Sequence, residues 1–142
     1  MSWSTILNKR ETTAARSTAS TSNGSPSNHE DKIAELLTDA GILRNRLKVR
    51  GTVSGARAFI ATQLEFGSFA DYLWTWVDGI PIVNRPRSMA DLPTHTELSD
   101  RLGKELKRRG FTFVGTTIMY SYLQAVGLID DHLVGCPWKT GA

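Results

Sequence analysis

Between Leu47 and Leu64 the apolar residues Leu47, Val53, Ala56, Phe59, Ile60 and Leu64 recur at helical spacing over nearly five turns, with no proline to interrupt them. Gly67 closes that stretch, and Ser68 is placed to cap a second apolar run holding Phe69, Tyr72, Leu73, Trp76 and Val77. Upstream, Ile33, Leu36 and Leu37 form a shorter apolar face before Asp39-Ala40-Gly41 turns the chain. Downstream, the stretch Thr94-His95-Thr96-Glu97 predicts a capping box that opens a helix running to about Arg109. Gly110 stops it, and a last helix covers about Gly115 to Val126 before Gly127. The segment from Ile80 to Pro93 carries Pro81, Pro86 and Pro93 and predicts loop. No segment alternates with period two, so the expected fold class is all-α.

The chain's 142 residues suit one domain. Folding at that length buries roughly two thirds of the unfolded surface, enough for a core. No apolar run approaches the span a membrane helix needs, and the N-terminus lacks a secretory pattern. The lone Cys136 rules out an internal disulfide and suits a reducing, cytoplasmic setting. Composition breaks sharply between Glu11 and Glu30, where Ala14, Ala15 and Ala19 are the only apolar side chains. Residues 11–30 are therefore expected to be a flexible Ser/Thr-rich segment, because they cannot offset their ordering entropy. Residues 3–10 look helical, with Trp3, Ile6 and Leu7 on one face.

The net charge of +3 permits a polyanion partner without demanding one. Two basic clusters stand out: Arg44, Arg46, Lys48 and Arg50, and Lys104, Lys107, Arg108 and Arg109. The first follows the turn at Gly41. Two helices joined by a glycine turn, with Ile42 plugging it, predict a helix-hairpin-helix whose backbone N–H groups and second-helix N-terminus point at one phosphate. Gly41, Ile42, Arg44 and Arg46 are the candidate DNA contacts, the arginines adding salt-sensitive attraction. His132 and Cys136 stand four apart and can share one Zn²⁺, although a structural site wants four ligands. Each of Trp3, Trp74, Trp76 and Trp138 offers a face for a base, yet on the residues alone each reads as a core anchor. No catalytic triad order or paired-carboxylate motif is visible.

Together these residues resemble the bacterial DNA-3-methyladenine glycosylase I family. The likeness is strongest from Leu106 to Leu128, through Gly110-Phe111-Thr112-Phe113-Val114-Gly115-Thr116-Thr117, and in Asp131-His132-Leu133-Val134-Gly135-Cys136. Ser2 to Glu11, Asp39 to Ala58 and Pro93 to Asp100 also match. The resemblance implies one helix-hairpin-helix glycosylase domain over 1–142, with the hairpin in 31–66 and the C-terminal helices with half a zinc site in 94–138. It implies hydrolysis of the N-glycosidic bond of 3-methyladenine in double-stranded alkylated DNA by a monomer. Trp3 matches an aromatic residue of the base pocket. His132 and Cys136 match two of four ligands to a structural zinc. The family's other two ligands and its pocket glutamate would lie before Met1, so the domain is expected to be incomplete at its N-terminus and excision impaired. Its catalytic residue is accordingly unassigned. Residues 12–29 depart from the family while keeping its spacing; codons for Arg16 to Thr21 read two bases later would restore an aromatic-acid run, as a compensated frameshift would. The alternative is a non-catalytic remnant that still binds DNA.

Overall fold

The computed structural model describes residues 28–42 and 45–139, and side chains from Ile33 onward. The chain holds two compact units, residues 1–53 and 54–142. Five helices appear among the described residues: α1 Asn28–Thr38, α2 Arg46–Phe66, α3 Phe69–Trp74, α4 Glu97–Arg108 and α5 Thr116–Ala125. Short 3-10 turns cover Thr75–Val77 and Met89–Asp91. The all-α expectation holds. Because α1 begins at Asn28, the residues 28–30 assigned to the flexible segment are helical. The remainder of 11–30, and the helix expected over 3–10, lie outside the described residues.

α2 has the length its periodicity predicted but buries a different face. Leu47, Ile60 and Leu64 are exposed, whereas Ala58 and Thr62 are buried. The reason is close approach within the second unit: a Cβ at Gly110 would meet the Ala58 methyl at 3.9 Å, and one at Gly55 would meet Phe111 at 3.8 Å. Small residues, not large ones, therefore line the contact. Thr62 tolerates burial because its hydroxyl donates to the Ala58 carbonyl at 2.8 Å. Ser68 caps α3 as expected, its hydroxyl accepting from the Asp71 N–H at 2.9 Å.

The cap of α4 sits two residues later than the expected Thr94–Glu97 box. Thr96 accepts from the Ser99 N–H at 3.3 Å, and the Thr96 N–H donates back to the Ser99 hydroxyl at 2.9 Å. This register turns Leu102 and Leu106 inward, where both are essentially fully buried. They pack with Tyr72, Leu73, Val77, Met119, Tyr120, Leu123, Leu128 and Ile129 into the core of the second unit. Trp74 and Trp76 pack against it as expected, but Trp138 is 81% exposed and anchors nothing.

The proline-rich loop contributes a strand that no alternation announced. β1 (Ile82–Val83) pairs in parallel with β2 (Ile129–Asp130), Ile82 opposite Ile129. Two residues per strand are too few for a pattern to register; tertiary hydrogen bonds, such as Ile82 N–H to Leu128 O at 2.9 Å, fix the pairing.

The tightest point is Gly103, where an added Cβ would sit 2.7 Å from the Val114 carbonyl oxygen. A backbone oxygen cannot swing away as a side chain can. Gly103→Ala is expected to cost about 1–3 kcal/mol through overpacking, read as a lowered denaturation midpoint with helical content retained.

Candidate functional site

The turn expected at Gly41 lies in the first unit, and short polar side chains build it. Asp39 continues the end of α1, its N–H donating to Leu36 O at 3.2 Å. Its carboxylate then accepts the Gly41 N–H at 2.7 Å, an Asx turn that reverses the chain. Ile42, only 6% exposed, is buried as the plug. Asn45 opens α2 by accepting the Lys48 N–H at 3.1 Å. Arg46 and Lys48 are exposed at this first turn, and Gly41 is half-buried. Arg44 lies outside the described residues, as does Trp3. The first turn of α2, the positive end of its dipole, thus carries exposed cations, which suits it to attracting an anion.

The second basic cluster is different. Arg108 makes a two-pronged contact with Glu105, at 2.7 and 2.6 Å. Arg109 reaches Glu105 at 2.8 Å and Glu65 at 2.6 and 3.1 Å. Its guanidinium also lies over the rings of Tyr72 and Phe66, at 5.0 and 5.2 Å. The Arg109 hydrogen bond holds Glu65 below the usual carboxylate range, and that of Arg108, followed by Arg109, does the same for Glu105. Arg109, with its side chain 16% exposed, is thus committed to internal partners, whereas Arg108 stays 71% exposed beside Glu105.

Around His132 the structure assembles groups the sequence did not flag. Asp131 accepts from the Tyr120 hydroxyl, from Gln124 Nε2 at 2.7 Å and from Asn84 Nδ2 at 2.7 Å. Burial alone would raise its pKa, but those three donors outweigh it, and the carboxyl titrates below its ordinary value. Burial and the same bond push Tyr120 up to about 12. Asp130 Oδ1 accepts the backbone N–H of His132 at 3.0 Å and lies 3.1 Å from its ring Nδ1. Lys139, with its side chain 3% exposed, places its ammonium 3.1 Å from that same oxygen and 3.1 Å from the Asp130 carbonyl. Cys136 is half-buried in the turn between them. Two acidic residues immediately before a histidine, Asp130 and Asp131, were the one available signal; Lys139 had none.

Beside this cluster, Asn84, Arg85, Arg87, Asp91, Thr96 and Asp131 line an open cleft of about 470 Å³. Asp91 is spent on structure there, accepting the backbone N–H groups of Arg87 and Ser88 at 2.8 and 2.9 Å.

As a metal site the C-terminal loop falls short. No group of three or more His, Cys, Asp or Glu side chains that could hold an ion occurs among the described residues. His132 and Cys136 are two donors where a structural zinc takes four. The sequence holds only two other histidines, and His95, 3.5 Å from Asp100, is not brought to them.

The family model for methyladenine glycosylases matches residues 1–140. The chain belongs to that family. It is 40% identical over 136 residues to DNA-3-methyladenine glycosylase 1 of Escherichia coli, covering 96% of this chain and 73% of that one. It is 36% identical to DNA-3-methyladenine glycosylase of Haemophilus influenzae, covering 99% and 76%. Among solved structures, a crystal structure of 3-methyladenine DNA glycosylase I superposes with TM-score 0.78 at 42% identity, over 97% of this chain and 76% of that one. The Staphylococcus aureus 3-methyladenine DNA glycosylase I, solved for its recognition of 3-methyladenine, gives 0.81 at 30% identity, over 100% and 76%. The helices described above are thus those of the methyladenine glycosylase fold.

Asp131 joins α5 to the strand pair, so Asp131→Asn is expected to cost about 1–3 kcal/mol by leaving the Tyr120, Gln124 and Asn84 donors mismatched. The sign of the pH dependence follows from the lowered pKa. Asp131 adds stability above the unfolded aspartate value near 4, and that stability is lost as pH falls through the native value. Acid titration followed by thermal denaturation should show a shallower loss in the variant.

Proposed function

We propose that this methyladenine glycosylase works as a cytoplasmic monomer on double-stranded alkylated DNA and hydrolyses the N-glycosidic bond of 3-methyladenine. The family match along residues 1–140 carries the reading, and the hairpin geometry supports it. The chemistry demands little of the protein. Methylation at N3 leaves the purine cationic, so the glycosidic bond is already weakened. Extruding the nucleotide from the stack and shielding the sugar for attack by water supplies the rest. A ring face grips the cationic base better than neutral adenine, which gives selectivity; Trp3 is the residue proposed for that contact.

We read the turn at Gly41 as a helix-hairpin-helix. Its backbone N–H groups and the α2 N-terminus would face one phosphate, with Arg44 and Arg46 adding charge around it. None of the described helices is long and apolar enough to cross a bilayer.

The test is base release from alkylated duplex DNA, measured beside binding. Excision with Trp3→Ala lowered at least about tenfold and duplex affinity kept is the expected result. Binding without release by the unaltered chain would instead establish the DNA-binding remnant. Removing Arg46 should weaken binding to all duplexes alike and flatten the dependence of log K on log salt by about 0.9.

A further inference from the structure

The family resemblance implies a zinc ion at the His132–Cys136 loop, and the side chains of the described residues do not complete a site for one. Something else must then hold residues 130–139 in place. The loop begins at the buried Asp130 carboxylate and ends at the buried Lys139 ammonium, 3.1 Å apart. A second bond from the same ammonium to the Asp130 carbonyl, also 3.1 Å, fixes its position. The carboxylate further orders the near side of the loop through the N–H and ring Nδ1 of His132. Backbone bonds close the interior: Cys136 N–H to Leu133 O and Lys139 N–H to Cys136 O, at 2.9 and 3.0 Å. Val134 N–H reaches Pro86 O at 2.9 Å and ties the loop to the cleft wall.

We propose that in this chain the Lys139–Asp130 ion pair clasps the loop in the role a structural metal would fill, so that its fold is independent of zinc. The ammonium supplies a fixed positive charge against the buried carboxylate, and its donors meet oxygens at both ends of one residue. Removing one partner of such a pair is strongly destabilising, because it strands the other charge in the interior. The proposal is independent of base excision and would stand if the chain released no base.

The experiment uses the full chain and reads metal content and thermal midpoint. Elemental analysis after purification in zinc-supplemented medium is expected to find zinc far below one per chain. Dialysis against EDTA, or addition of zinc chloride, is expected to leave the midpoint unchanged. Lys139→Met should lower the midpoint by roughly 10 °C, because the buried Asp130 carboxylate loses the ammonium beside it, and adding Asp130→Asn should recover part of it. One tightly held zinc per chain, a midpoint lowered by EDTA, or an unaltered midpoint in Lys139→Met would each overturn the proposal. Should that variant fail to fold, the metal and chelator measurements on the unaltered chain still decide.

Discussion

The second unit is organised around the contact between α4 and α5. It exists because position 103 has no side chain, letting the Val114 carbonyl come up against α4. Leu102 and Leu106 flank that glycine and meet Met119, Tyr120 and Leu123 across the interface. The buried Ser99 hydroxyl lies 2.9 Å from the Thr116 hydroxyl, so the first turns of both helices are locked together. Once α5 is placed, Tyr120 and Gln124 point at Asp131, and the C-terminal loop acquires its anchor.

The helices were legible because their apolar residues recur with the right period and glycines stand at Gly67, Gly110 and Gly127, all three at positive φ. The faces were less so. In α2 the large apolar residues Ile60 and Leu64 look outward, while Ala58 and Gly55 face Gly110 and Phe111. The α4 cap slipped by two residues because Thr94 and Thr96 are both good caps, and only the inward aim of Leu102 and Leu106 separates them. The two-residue strands left no pattern at all.

Much the same division applies to the candidate site. The turn at Gly41 could be read from Asp39, the glycine and the buried Ile42, all local in sequence. The role of Arg109 could not, because Glu65 lies 44 residues away and the stacking rings belong to other elements. A run of basic residues at a helix end looks the same whether it faces phosphates or internal carboxylates. Lys139 escaped notice for a related reason: a single lysine near a terminus reads as a solvated charge until its carboxylate is located.

The pairing of β1 with β2 has a consequence for the order of assembly. Ile82 and Ile129 stand on either side of the whole α4–α5 hairpin. Closing so long an interval for a few hydrogen bonds is entropically unfavourable unless the hairpin has already drawn its ends together. The little sheet is therefore a latch that fastens last, and the cleft rim at Asn84, whose N–H bonds Asp130 O at 3.0 Å, takes its shape only at that final moment.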